Sequence, residues 1–433
     1  VGTAIELKVA AVTLDYAKNG MGNDYGSYFQ EGDLARRHDE GTDYDYILEN
    51  GLENELPVRE EAFVRPLCRV LPRLTQLRHR LDGARAEYDA ATVFDQEVSS
   101  GSNGEIPERR YLSFDEFCSL ANRYPVASLA GGYVPYDAED RERLCQGRFA
   151  SHLDLIERIP WGGGSDHYWS ESSFFAAKIC ILSPASMLQV LGLNLANADA
   201  EVSWQFGPLV SSGWANRDSF VAGAKREDTV LVATEGASDA RILRRALDIL
   251  RPDITDFFRF IDVEERHHFW GTGNMLKFAE GLIRIDVQND VIFLLDNDAE
   301  GVDADRKLRA LKMPRNMRSM VLPSLPTFES FPARGPEGLA LSNINGRAAA
   351  IECYLDLRLN GHGPAEVLWS NYKREIDAWH GALEHKESYT KHFMSQDANS
   401  MSDGSYDTSK INSLLDALTA AAAEMSAFRN EFP

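Results

Sequence analysis

Cysteine is scarce. The 433-residue chain has five, Cys68, Cys118, Cys145, Cys180 and Cys353, odd in number, widely separated and without a CxxC pair. This excludes a disulfide framework and a zinc ribbon, whose ligands come as two tight pairs. A reducing cytosol is the compartment that fits, and any bound metal is expected to be held by oxygen. Long apolar runs are missing as well. No stretch reaches the roughly 18 uninterrupted apolar residues of a membrane span, and residues 1–16 alternate like strands rather than forming a basic segment before an apolar one. Neither a membrane span nor a signal peptide is therefore expected, and the chain is expected to be cytoplasmic. Positive charge is also in deficit: 45 Lys and Arg against 67 Asp and Glu give a formal net charge of −22. Such a balance excludes a protein that coats nucleic acid by bulk electrostatics. An acidic chain can still present one basic face, and divalent cations offset local carboxylate charge, so binding to bare DNA is expected to be weak or partner-assisted.

What is present is the composition of a folded protein, 44% hydrophobic and 26% charged. The length exceeds what one core supports, which predicts two or three domains. Residues 1–105 read as an N-terminal accessory domain. It has short alternating runs at 4–9 and 12–16, an acidic exposed loop from 23 to 55, and one long amphipathic helix from Glu60 to Tyr88, kinked near Pro66 and Pro72. A Ser, Gly and Asn segment from Val98 to Pro107 reads as a linker. Residues 106–226 form a mixed α+β region with a helix at Phe114 to Ala121. Its WGGGSD run, Trp161 to Asp166, is either a flexible turn or a phosphate cradle, and it lacks the lysine of a P-loop. Residues 395–433 read as a polar linker followed by an amphipathic helix with Ile411, Leu414, Leu415, Leu418 and Ala421 on one face, packed on the core or on another subunit.

Between these, residues 227–394 are regular. Strand Val230 to Thr234, a helix capped by Ser238, strand Phe257 to Ile261, helix Thr272 to Ile283, strand Val291 to Leu295, helix Val302 to Leu311 and strand Ser319 to Leu322 alternate along the chain. Such alternation predicts a parallel sheet flanked by helices, with its chemistry at the carboxyl ends of the strands. Two acidic groups fall there: Glu235 to Asp239 after the first strand, and Asp296 to Gly301 after the third. Asp296 and Asp298, two residues apart on extended chain, are placed to share a divalent ion while Asn297 points away. Carboxylate oxygens suit Mg²⁺ or Mn²⁺, which leave coordination positions open to phosphate and water.

EGASD at Glu235 to Asp239 and DNDAEG at Asp296 to Gly301 resemble the Toprim domain shared by topoisomerases, bacterial primases and the overcoming-lysogenization-defect nucleases, the nuclease branch most of all. The resemblance implies an α/β Toprim fold in the C-terminal half, with Glu235, Asp296 and Asp298 as metal ligands or acid-base groups and Asp239 as a further ligand. It also implies a later metal-binding glutamate at Glu352 and a catalytic lysine at Lys386. VGTAIELKVAAVTLDYAKN at 1–19, FGPLVSSGWA at 206–215 and NINGRAAAIECYL at 343–355 are similar to bacterial HEPN/Toprim-associated proteins, which implies anti-phage defence and a sensing or assembly role for the N-terminal half. A HEPN ribonuclease signature, an arginine and a histidine a few residues apart, is met by Arg374 and His380, in a pattern loose enough to arise by accident. His267 and His268 are adjacent, so their side chains diverge and a loop or partner position is expected rather than chelation.

Three functions follow as expectations. The first is a Mg²⁺- or Mn²⁺-dependent nuclease acting on DNA or RNA. The second is a topoisomerase- or primase-like strand-transfer enzyme, for which neither a zinc ribbon nor a distinguishable tyrosine nucleophile is found. The third is a non-catalytic sensing or scaffold subunit that binds a partner protein or a second copy of itself.

Overall fold

The computed structural model describes residues 3–37, 60–100, 110–162, 167–261, 272–359, 361–373 and 378–427. It divides into two compact units, Val1–Ala224 and Lys225–Pro433.

In the first unit, alternating apolar residues put Ile5, Leu7 and Val9 of β1 (Ala4–Val9) into the core. β1 pairs antiparallel with β2 (Val12–Lys18). β3 (Leu34–Arg37), β4 (Glu60–Pro66) and β5 (Glu201–Gln205) complete an antiparallel sheet of order β2-β1-β5-β4-β3. Because β5 lies between β1 and β4, segments on either side of residue 105 share one sheet, so the expected division there does not separate compact units. The long helix expected from Glu60 to Tyr88 is instead strand β4, helix α1 (Leu67–Gln76) and helix α2 (Leu81–Ser100). Phe63, counted on the helical stripe, pairs with Trp204 in the sheet. α2 runs through Val98 to Ser100, and the rest of the expected linker to residue 107 lies outside the described residues. The acidic stretch after Asn23 is not wholly exposed loop, since Tyr25, Tyr28 and Phe29 are buried around Trp204 and Phe63. α3 (Phe114–Ala121) forms where its periodicity predicts, capped by Ser113.

In the second unit, β6 (Val230–Thr234), β7 (Phe258–Phe260), β8 (Asp290–Leu295) and β10 (Met317–Val321) form a parallel sheet of order β10-β8-β6-β7. The helices between them are α4 (Ala237–Leu250), α5 (Thr272–Arg284) and α6 (Ala299–Ala310). β8 is buried along its whole length, as expected of a strand covered on both faces. Ala233, Val291, Phe293 and Leu295 pack with Met275 and Ala279 of α5 and with Ala304 and Leu308 of α6. Alternate residues of β6 and β8 face the other way, where α4 and α7 (Lys386–Met394) pack on each other, and α4 and α8 (Ser409–Ala427) meet the sheet. All five apolar residues expected on the C-terminal stripe, from Ile411 to Ala421, are buried.

Two features of this unit depart from expectation. A second sheet, β12-β11-β14-β15, follows β10, built from β11 (Phe331–Gly335), β12 (Gly338–Ser342), β14 (Val367–Lys373) and β15 (Ala378–Leu383). The segment expected as a polar linker from residue 395 carries a short helix, Ala398–Ser402, and buries Met401 and Tyr406. Tyr406 accepts the Asp356 backbone N–H at 3.0 Å, tying this segment to the body of the unit. Among the described residues no helix is long and apolar enough to cross a membrane.

Candidate metal centre

Strand β6 ends at Thr234, and Glu235 follows at its carboxyl end. The Gly236 N–H donates to the Asp239 carboxylate at 2.9 Å, and the Ser238 hydroxyl donates to the same carboxylate at 3.1 Å. Gly236 is therefore the residue that caps α4, and Ser238 lies inside the first turn; Asp239 reaches back to the orphan N–H in the manner of a capping box. This corrects the expectation that Ser238 is the cap. The same geometry turns Asp239 towards the sheet end.

Strand β8 delivers the second acidic group. Asp296 donates its backbone N–H to Glu235 Oε1 at 3.2 Å, so the two strand ends meet. Asp298 caps α6, its Oδ1 accepting from the N–H groups of Glu300 at 2.9 Å and Gly301 at 2.8 Å, which places a negative charge at the positive end of the helix dipole. Between them Asn297 is buried and turned away. It accepts the Gly346 N–H at 2.8 Å and donates to Asn345 and Ser324 at 3.3 Å. β9 (Asn297–Asp298) pairs with β13 (Ala348–Ala349), and the Ile351 N–H donates to Asp296 Oδ1 at 3.0 Å. The Asn343 to Leu355 segment is thus clamped onto the aspartate loop.

That clamp brings in the later residues. Glu352, 7% exposed, follows Ile351 on a 3-10 turn, and Lys386 opens α7 beside it, Nζ to Oε2 3.6 Å. A lysine at a helix N-terminus is opposed by the dipole; here its carboxylate neighbours compensate. Burial alone would drain its charge, but Glu352, Asp296 and Asp298 hold its pKa above the ordinary lysine value. The acidic groups are pushed the other way. Burial, then the charge of Asp298, raises Glu235 to about 8, against the pull of the Asp296 N–H. Burial and the charge of Glu352 raise Asp239 to about 6. Asp296 is raised well above the carboxylate range by burial and by Asp239, Glu235 and Asp298.

All six expected residues, Glu235, Asp239, Asp296, Asp298, Glu352 and Lys386, therefore share one electrostatic neighbourhood at the carboxyl ends of the parallel strands. Five carboxylates face one lysine. Such crowding is costly unless protons or cations relieve it. Among the described residues Glu235 Oε2, Asp296 Oδ2 and Asp298 Oδ2 accept no hydrogen bond, and this all-oxygen donor set fits Mg²⁺ or Mn²⁺. No three His, Cys, Asp or Glu side chains among the described residues already converge into a ready metal cage.

Sequence reasoning missed the Asn297–Asn345 lock. Its signal was the uncharged residue between two aspartates, which needs a partner once buried. Of the remaining candidates, His380 lies on β15 with a buried Nδ1 that has no hydrogen-bond partner among the described residues, while Arg374, His267, His268 and residues 163–166 of the glycine run lie outside the described residues. Neither curated proteins nor solved structures yield a match. Residues 1–228 match the family described as HEPN/Toprim N-terminal domain 1. The match spans the first unit and ends before Glu235. With more than half its length in that match, the chain belongs to the HEPN/Toprim N-terminal domain 1 family.

Proposed function

We propose that the second unit is a Toprim-type catalytic domain and that the chain is a nuclease, hydrolysing phosphodiester bonds in DNA or RNA with bound Mg²⁺ or Mn²⁺ as an effector of anti-phage defence. The observation that carries this reading is the hydrogen bond from the Asp296 N–H to Glu235, which joins two acidic groups 61 residues apart in sequence at the end of a parallel sheet. A metal bound there would polarise the phosphoryl oxygen and lower the pKa of an attacking water.

The chain's own residues divide the remaining work. Glu235, Asp296 and Asp298 offer the oxygens left free by hydrogen bonding, with Asp239 and Glu352 as further ligands. Without metal, burial and the Asp298 charge raise Glu235 to about 8, so that a cation binding there near neutral pH displaces a proton. Lys386, kept charged by its neighbours, is a donor for negative charge developing on the phosphate. The first unit is left for sensing or assembly.

Plasmid, linear DNA and tRNA incubated with Mg²⁺, Mn²⁺ or EDTA provide the test. Cleavage is expected with metal only, and Asp296→Asn with Asp298→Asn is expected to reduce it to the level seen in EDTA while the fold is retained. Equal cleavage by that variant or in excess chelator overturns the reading. A second reading, a scaffold without turnover, draws on the absence of a ready cage among the described residues. Calorimetry separates the two: no Mg²⁺ or Mn²⁺ binding at millimolar concentration, beside tight binding to a partner protein, favours the scaffold.

A further inference from the structure

The 225–433 unit has a second polar feature, along β7 at the edge of its parallel sheet. A cleft of about 640 Å³ opens there, lined among others by Arg226, Arg244, Arg259, Phe260, Phe278 and Asn289. Among the described residues none that lines it is acidic, and none belongs to the carboxylate cluster. In a chain of net charge −22 that local balance is unusual.

The arginines reach the cleft for identifiable reasons. Arg259 alternates with Phe258 and Phe260 on β7, so the two rings are buried while the guanidinium is exposed. Arg226 stands in a 3-10 turn just before β6, and Asn289 donates to its backbone carbonyl at 3.2 Å. Arg244 is on the exposed side of α4. Six arginines elsewhere in this unit are neutralised: Arg251 by Asp416, Arg306 by Asp303, Arg309 by Asp305, Arg318 by Glu424, Arg334 by Glu366 and Arg358 by Asp356. Arg226 and Arg259 have no ion pair or side-chain hydrogen bond among the described residues. Two such charges, Arg226 and Arg259, at one opening in a chain with carboxylates to spare point to an anion from outside.

The rest of the lining narrows that anion. Planar guanidinium groups match phosphate oxygens with paired N–H donors. Phe278, only partly buried, adds an aromatic side of the kind on which a nucleobase rests. The volume lies within the range of small-molecule sites, about 300–1,000 Å³, and suits one nucleotide rather than a duplex. We propose that this cleft binds a phosphorylated nucleoside, its phosphate on Arg226 and Arg259 and its base against Phe278. The nucleoside is either a free nucleotide or one unstacked residue of a nucleic-acid strand. The site is separate from the proposed hydrolytic centre and needs neither its carboxylates nor a metal.

The test uses the full chain in EDTA, with two probes: a fluorescent adenosine nucleotide and a dye-labelled single-stranded oligonucleotide. Arg226→Ala with Arg259→Ala is expected to weaken whichever probe the parent protein binds by at least about tenfold, as befits loss of charged hydrogen bonds. Its melting temperature is expected to be unchanged, because both side chains are exposed and unpaired. If the strand is the ligand, the slope of log K against log salt is expected to shrink by about 0.7, for the one phosphate that the variant no longer neutralises. Asp296→Asn with Asp298→Asn is expected to bind as the parent does, so failure of the hydrolytic reading leaves this result untouched. Equal binding by the double arginine variant, or no binding of either probe by the parent at millimolar concentration, overturns the proposal.

Discussion

A Cβ added at Gly301 would stand 2.0 Å from the Asp296 carbonyl oxygen, closer than any real side chain tolerates. Only glycine lets the first turn of α6 press against the aspartate loop. Gly301→Ala is expected to lower both the melting temperature and the affinity for Mn²⁺, measured by thermal unfolding and calorimetry; full affinity at an unchanged melting temperature would refute the packing argument. Glu235 yields a pH dependence. Its pKa rises from 4.5 to about 8 on folding, so between those values the metal-free native state holds a proton that the unfolded chain has released. Stability from this group is complete below 4.5 and is lost as pH rises through about 8. In EDTA, Glu235→Gln is expected to melt above the parent protein at pH 8, with the gap closing towards pH 5. Added Mn²⁺ is expected to raise the parent's melting temperature more at pH 8 than at pH 6, since the ion competes with that proton. At this scale Glu235, Asp239, Asp296 and Asp298 were legible because strand ends are read locally. Glu352 and Lys386 came only from resemblance, since nothing local says that a 3-10 turn and a helix start will meet 3.6 Å apart.

Local periodicity reached its limit in the elements of the first unit. Residues 60–66 have apolar spacing that serves a helix, yet Phe63 finds its partner in Trp204 across a strand pair, and a pairing so distant in sequence leaves no mark in a short window. The parallel sheet of the second unit was legible for the opposite reason: each strand is a short apolar run, punctuated by its own helix. β4 also carries a polar anchor that periodicity does not show. Arg65 is fully buried, 2.5 Å from Asp33 and 2.9 Å from Gln30 Oε1. Removing one member of a buried pair strands the other, at a cost of about 3–5 kcal/mol. Arg65→Met is expected to lose stability on that scale in urea titration, and a change under about 1 kcal/mol would show the pair to be dispensable.

At the scale of the whole chain, two units divide at residue 224. The family match covers the first, and the carboxylates occupy the second. Metal should therefore act locally. Hydrogen exchange in Mn²⁺ is expected to slow at residues 235–239, 296–301 and 347–352, with strands β1 to β5 unaffected; slowing spread evenly over both units would argue against a discrete centre. The boundary expected near residue 105 misled because composition marks where chain is exposed, not where sheets close, and β5 returns from residue 201 to lie beside β1.

The clamp of β13 onto β9 has one last consequence, for the order of synthesis. Glu235 and the aspartate pair leave the ribosome well before residues 347–352, and Lys386 follows later still. A nascent chain thus holds an unfinished acidic patch, without the strand that grips Asp296 and without the cation that steadies Glu352. The acidic cluster is therefore complete only after this stretch has been translated.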